Sequence, residues 1–126
     1  MHILAVLTKT RANTLLTIPT PDGPLEVYLR PVTEGIRGRF YDLAKPATGE
    51  AMVQARALLL SLVVDAGNVP VFATVDAALK ALNEAEMGGP LSLLADRCLE
   101  HFNERATPKA EEVSPKAPQP TGDSGQ

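Results

Sequence analysis

Residues 50–65, EAMVQARALLLSLVVD, form the most strongly helical stretch of the chain, and the fold follows from them. Alanine, leucine and valine recur at helical spacing, and additional leucines widen the apolar stripe beyond one face. A helix that is apolar around most of its circumference lies at the centre of a bundle or is covered by a partner. The sequence therefore predicts a mainly α-helical fold organised around a helix over 50–65.

Three more helices are predicted, one before this stretch and two after it. Thr33 can cap a helix over about 33–45, and Thr74 can cap another that runs towards residue 86. Pro90 suits the first turn of a last helix. Its apolar stripe consists of Leu91, Leu94, Ala95, Cys98, Leu99 and Phe102. The pattern indicates a small bundle of about four helices.

A β-hairpin is predicted ahead of the helices, in residues 14–31, TLLTIPTPDGPLEVYLRP. Gly23 accepts the positive φ that a tight turn needs, and the residues after the turn alternate between apolar and polar. The preceding stretch HILAVL, residues 2–7, is expected to add a third strand. Hairpin and helices together form one predicted domain, residues 1–106.

The last residues, 107–126, read TPKAEEVSPKAPQPTGDSGQ and contain four prolines and no aromatic residue. Such a segment has too little apolar area to offset the entropy that ordering costs. We predict that it is a disordered, proline-rich C-terminal segment.

The composition excludes several classes of function. The chain has 12 Lys and Arg against 15 Asp and Glu, a net charge of −3, so nucleic acid is not expected as its main partner. Its longest apolar run, residues 57–64, is far shorter than the roughly 20 residues of a membrane-spanning helix. A single cysteine suits a reducing compartment. These features predict a cytoplasmic protein without a signal peptide, a nucleic-acid partner or a membrane span.

The stretch VVDAGNVPVFATVD, residues 63–76, resembles an ion-binding loop in its acidic and amide side chains. A calcium loop needs oxygen ligands at alternate positions and a glutamate at the twelfth, and counting from Asp65 fails at most of them. A turn explains the stretch better. Gly67 is expected to adopt the left-handed conformation there, and Pro70 to prevent the helix from continuing.

Two other groups of residues could carry chemistry or binding. Cys98 and His101 stand three residues apart on a predicted helix, but a zinc site needs further ligands and a cysteine nucleophile needs an orienting group. We interpret them as a core residue and a residue near a helix end. RGRFYD, residues 37–42, could stack on single-stranded nucleic acid, but it also fits a helix that turns Phe40 inward. With no phosphate loop or paired catalytic carboxylates, we expect no enzymatic activity, metal or cofactor.

The order of the predicted elements resembles that of a known family. The hairpin ends in VYLRPVTEGIRGRF (27–40), and the central helix runs into LLLSLVVDAGNVPVF (58–72). The next helix opens with ATVDAALKAL (73–82), and the last ends in LEHFNE (99–104). Over residues 14–104 this resembles the tail assembly chaperones of long-tailed bacteriophages and related prophage or gene-transfer particles.

The resemblance implies a set of candidate partner-binding positions. Arg30, Phe40, Asp65, Gly67 and Phe72 match the family's pattern, and each also has a purely structural explanation. The family resemblance further implies a chaperone that keeps the tape-measure protein soluble and brings tail-tube proteins to it, with possible self-association. Such a protein acts in the host cytoplasm and is absent from the mature virion.

A groove between the second and fourth predicted helices is the expected place for an amphipathic client helix. The alternative function is a structural subunit, such as a tail-completion or connector protein, that stays in the particle.

Overall fold

The structure is a computed structural model that describes residues 3–106, and the predicted disordered segment 107–126 lies outside this range. The described chain is mainly helical, with a small antiparallel sheet, as predicted. Its elements are α1 (Ile3–Leu7), β1 (Thr14–Ile18), β2 (Leu25–Leu29), α2 (Glu34–Ala44), α3 (Gly49–Leu60), β3 (Val63–Val64), α4 (Val75–Glu84) and α5 (Pro90–Ala106).

The predicted hairpin is formed by β1 and β2. The two strands pair in antiparallel register from Thr14 opposite Leu29 to Ile18 opposite Leu25. At the turn between them Gly23 has φ 109°, which a residue with a side chain rarely adopts. The prediction of a tight turn at Gly23, in the pair Asp22-Gly23, is therefore confirmed.

The predicted third strand at residues 2–7 is wrong. Residues Ile3–Leu7 form the short helix α1, and β3 takes the third place in the sheet by pairing with β2. A run of consecutive apolar residues without alternation fits a helix or a strand, so local pattern did not separate the two.

The central helix is shorter than the predicted 50–65. Its last turn closes at Ser61, whose N–H donates to the carbonyl of Ala57 at 3.1 Å. The Arg30 N–H then donates to the carbonyl of Leu62 at 3.1 Å, which begins the pairing of this segment with the hairpin. The β-branched Val63 and Val64 continue as β3, because there they satisfy backbone groups of β2 and are fully buried.

Helix α3 is the centre of the domain, as its composition predicted. Its C-terminal half, Ala57–Leu60, is at most 1% exposed, and the helix packs against α2, α4 and α5. Met52, near the start of the helix, is 39% exposed. The core of the domain thus concentrates at the C-terminal end of α3.

Threonine caps define where three helices begin. The side-chain oxygens of Thr33, Thr48 and Thr74 each accept a hydrogen bond from the backbone N–H three residues on, at 3.0 to 3.2 Å. The first and last of these caps were predicted; the middle one was not. Each cap satisfies an N–H that has no partner within its helix.

Helix α5 lies across α3 and beside β1. The predicted stripe is confirmed: Leu94, Ala95, Cys98 and Phe102 are buried, and Leu91 and Leu99 are partly buried against the core. Arg97 Nη1 donates to the Thr17 carbonyl at 3.3 Å, which ties the helix to the edge strand. Within residues 3–106, no helix is long and apolar enough to cross a membrane.

Candidate partner-binding groove

The polar turn after β3 is held by one carboxylate. Asp65 Oδ1 accepts hydrogen bonds from the backbone N–H of Gly67 at 2.8 Å and of Val69 at 3.0 Å. This is the side-chain-to-backbone pattern by which aspartate stabilises turns. Among residues 3–106 no three His, Cys, Asp or Glu side chains are grouped as metal ligands. The geometry is that of a turn, as the spacing predicted.

The left-handed residue of this turn is Asn68, with φ 65°, so the prediction that Gly67 adopts that conformation is wrong. Asparagine tolerates left-handed geometry better than most residues with a side chain. A Cβ on Gly67 would lie 3.4 Å from Asp65 Oδ1, so glycine instead allows the carboxylate to approach the backbone closely.

Arg30, the residue directly after β2, holds the turn from the hairpin side. Its Nε donates to Asn68 Oδ1 at 3.2 Å and its Nη2 donates to the Asn68 carbonyl at 2.9 Å. Asn13 Nδ2 donates to the same Oδ1 at 3.1 Å. Hairpin and turn are therefore joined by three hydrogen bonds that converge on one asparagine.

The turn directs the following residues back along β3. The Asp65 N–H donates to the Val69 carbonyl at 2.9 Å, and the Val71 N–H donates to the Val63 carbonyl at 3.0 Å. A bridge between Val64 and Pro70 completes this pairing. As a result Val71 and the neighbouring Phe72 lie beside the hairpin.

An open apolar groove of about 220 Å³ lies where these segments meet the start of α5. It is lined by Ile18, Leu25, Val27, Val71, Phe72, Pro90, Leu91 and Leu94. Its surface is almost wholly carbon, and two lining residues are about half exposed, Leu25 at 48% and Val71 at 50%. Apolar surface that a folded domain leaves open in a concave site is typical of contact with another molecule.

A solved structure with similar architecture is that of the bacteriophage HK97 tail assembly chaperone. The match covers 82% of this chain and 100% of the HK97 chain, with 19% sequence identity and a TM-score of 0.53. This chain shares its fold with the HK97 tail assembly chaperone. No protein-family model and no curated protein sequence matches the chain. The resemblance drawn from the order of elements is thereby confirmed at the level of the fold.

The shared fold brings four of the five family-pattern residues together. Arg30, Asp65 and Gly67 build and clamp the turn, and Phe72 lines the groove that the turn positions. Arg30, Asp65 and Gly67 thus do not line the groove themselves but fix the backbone of the turn that precedes Phe72. Their direct contact with a partner stays a prediction.

The fifth family-pattern residue, Phe40, lies elsewhere. Its side chain is 4% exposed, and its ring centre is 4.3 Å from that of Phe102. Phe40 therefore packs α2 onto α5 in the core of the domain. The inward orientation predicted for it is confirmed.

The open apolar groove does not lie between the second and fourth predicted helices, where we expected it from the sequence. The second and fourth predicted helices correspond to α3 and α5, and these pack directly on each other. Arg56 Nη2 of α3 donates to Asp96 Oδ1 of α5 at 2.8 Å and to the Ser92 carbonyl at 3.3 Å. Because α3 is covered on these sides, the open apolar surface lies between the hairpin and the start of α5 instead.

Sequence reasoning missed most of the groove-lining residues. Alternation in β2 identified Leu25 and Val27 as one face of a strand, and periodicity identified Leu91 as part of a helix stripe. Neither signal shows that the two faces leave a gap between them. That gap depends on the position of α5 relative to the hairpin.

Cys98, considered at first as a nucleophile, is fully buried in the described core. Burial raises the pKa of its thiol to about 12, because the thiolate is poorly solvated there. A thiol in this state is a weak nucleophile at neutral pH. The interpretation of Cys98 as a core residue therefore has physical support.

Proposed function

We propose that this protein is a phage tail assembly chaperone that binds the tape-measure protein and helps to recruit tail-tube subunits. The observation on which this proposal rests is the fold shared with the whole HK97 chaperone chain. On this proposal the protein works in the host cytoplasm during assembly and leaves before the virion is mature. It performs no chemical step and uses no metal or cofactor.

The groove supports the choice of an apolar protein segment as client. At about 220 Å³ it is smaller than the roughly 300 Å³ at which small-molecule sites begin, and it has hardly any polar lining to orient a cofactor. It suits one or two apolar side chains from one face of an amphipathic helix. A tape-measure protein is expected to be such a helix over a great length.

Modest affinity per copy is sufficient for this role. Burying one leucine-sized side chain is worth about 1.5–3 kcal/mol, before the cost of ordering the client is subtracted. Many copies along one extended client reinforce each other when they also contact their neighbours. The proposal therefore expects several chaperone chains per tape-measure chain.

The test is co-expression with the tape-measure open reading frame of the same genome. Soluble tape-measure protein should increase, and it should co-purify with several copies of this chain. Leu25→Asp, in the groove, should abolish the increase because it places a charge against apolar side chains. Leu15→Asp is the matched control, since Leu15 is also a strand leucine with 48% exposure but does not line the groove.

Circular dichroism of both variants shows whether they are folded. Equal loss of client solubility in two folded variants would exclude the groove as the binding site. A tape-measure protein that is fully soluble alone would exclude the chaperone role. Retention of this chain at fixed stoichiometry in purified virions would instead support a structural tail-completion or connector subunit.

A further inference from the structure

A second pocket, of about 260 Å³, lies at the other end of the hairpin and of α5. Its basic lining consists of the charged Lys9, Arg11 and Arg105 together with His101, and Thr10 and Thr14 add polar groups. Arg105 is 11 positions beyond Leu94 of the groove, about 16 Å along the helix axis. The pocket is thus a separate site from the apolar groove.

The lysine and the two arginines of this pocket form no salt bridge within residues 3–106. The salt bridges of that range join Arg37 with Glu34 and Arg56 with Asp96, so Lys9, Arg11 and Arg105 take part in neither. Three positive side chains therefore face one concavity in a protein whose net charge is −3. Like charges held together repel one another, and a bound anion relieves that repulsion.

His101 shows the effect of this local charge. Its pKa is lowered below 6.5, first by burial and then by the positive charge of Arg105, while Glu104 opposes the shift and Arg11 adds to it. Arg105 and Arg11, which both line the pocket, thus act together on the imidazole and oppose the effect of Glu104, three positions along the helix.

We propose that this pocket binds a carboxylate-rich segment of a partner protein. Its volume suits one or two carboxylate side chains, and arginine matches the geometry of a carboxylate. Nucleic acid is less well matched, because no phenylalanine, tyrosine or tryptophan lines the pocket to stack on bases. The inference does not depend on the tail assembly role.

Helix α1 extends this surface with apolar residues. It ends at Leu7, two residues before Lys9, and the Thr8 N–H and the Thr8 Oγ1 hydroxyl both donate to the Leu4 carbonyl, at 2.9 and 2.8 Å. Ile3 and Leu7 are each 75% exposed. The partner segment that complements both features has acidic residues next to apolar ones.

The test measures binding of a fluorescein-labelled hexaglutamate peptide to the full chain by fluorescence anisotropy at low salt. Hexaglutamine of the same length and a 12-nucleotide oligothymidylate are the comparison probes. We expect hexaglutamate to bind more tightly than either. Raising the salt concentration to about 0.5 M should weaken the binding, since ions screen exposed charges.

A charge-reversal pair locates the binding. Arg105→Glu should weaken hexaglutamate binding roughly tenfold or more, because it replaces attraction with repulsion at contact distance. Arg39→Glu makes the same charge change on an exposed face of α2, outside the pocket, and should change binding less than about twofold. Thermal unfolding of both variants confirms that each is folded.

His101 supplies a readout inside the pocket. A bound carboxylate should raise the pKa of His101 towards its ordinary value, so the NMR titration of its ring should shift to higher pH with peptide present. Arg11, Glu104 and Arg105 act on the ring, and Lys9 lines the same pocket, with and without peptide, so their effects are common to the two titrations.

Several results would overturn the inference. These are tighter binding of oligothymidylate than of hexaglutamate, equal weakening by the two charge reversals, or an unchanged His101 titration. Absence of hexaglutamate binding at millimolar protein concentration would have the same effect. None of them bears on the co-expression result, so the two proposals fail independently.

Discussion

Helix α1 and the C-terminal half of α3 have similar sequences and opposite environments. The first reads ILAVL, residues 3–7, and the second reads ALLL, residues 57–60; neither contains a charge. In α3 these side chains are at most 1% exposed, whereas the apolar side chains of α1, apart from Ala5, are 52–75% exposed.

This difference shows that apolar composition does not by itself make a core. The C-terminal half of α3 is enclosed because three helices and the sheet converge on it. Helix α1 precedes the hairpin in the chain and has no buried residue. The same kind of sequence therefore stabilises the fold in one place and is available for contact in the other.

The largest expected effect comes from truncating one leucine in each region. Leu58→Ala should lower the free energy of unfolding by about 2–5 kcal/mol, because it leaves a cavity among close-packed side chains. Leu4→Ala, the same change in α1, should alter it by less than about 0.5 kcal/mol. Urea denaturation of both variants measures the difference, and similar losses would show that α1 is packed in solution.

The second-largest effect is expected in the turn after β3, which Asp65 holds and which leads to the groove residues Val71 and Phe72. Asp65→Ala removes the acceptor for the Gly67 and Val69 N–H groups and should cost about 1–2 kcal/mol, since both groups are partly solvated. Asp22→Ala is the control, because Asp22 is an exposed aspartate in the other turn. If the two variants unfold at the same urea concentration, the Asp65 carboxylate does not hold the turn.

A smaller effect, dependent on pH, tests the burial of Cys98. Burial raises the thiol pKa to about 12 from an ordinary value of 9.0, so the folded chain retains a proton that the unfolded chain loses between these values. This contribution to stability is fully present below pH 9 and is lost as pH rises towards 12. Cys98→Ala should therefore lose less stability than the natural chain between pH 8.5 and 10.5, as followed by thermal unfolding. Parallel pH profiles would place the thiol in contact with water.

The smallest effect is expected from removing residues 107–126. Their composition offers almost no apolar area, so the truncated chain should unfold within about 0.5 kcal/mol of the full chain. Limited proteolysis of the full chain should cut first in this segment. A clearly destabilised truncation would mean that the segment covers apolar surface, and α1 and the groove would be the surfaces to examine.

Local signals in the sequence predicted much of the fold correctly. Apolar periodicity identified α3 and α5, threonine identified two helix starts, and the Asp-Gly pair identified the hairpin turn. Each of these depends on residues a few positions apart, whose energies are local hydrogen bonds and backbone preferences. The order of these elements was also sufficient to suggest the phage chaperone fold that the structural comparison then supported.

The remaining features were decided by contacts between residues far apart in the chain. Val63 and Val64 left the predicted helix because β2 offered unpaired backbone groups, and Asn68 took the left-handed position where Arg30 holds it from 38 residues away. The groove exists only because α5 starts beside the hairpin. The cationic pocket exists only because the end of α5 brings Arg105 close to Lys9 and Arg11, which precede the hairpin. Sequence pattern reports the preference of a segment, but its partners and its exposure depend on packing, which involves the whole chain at once.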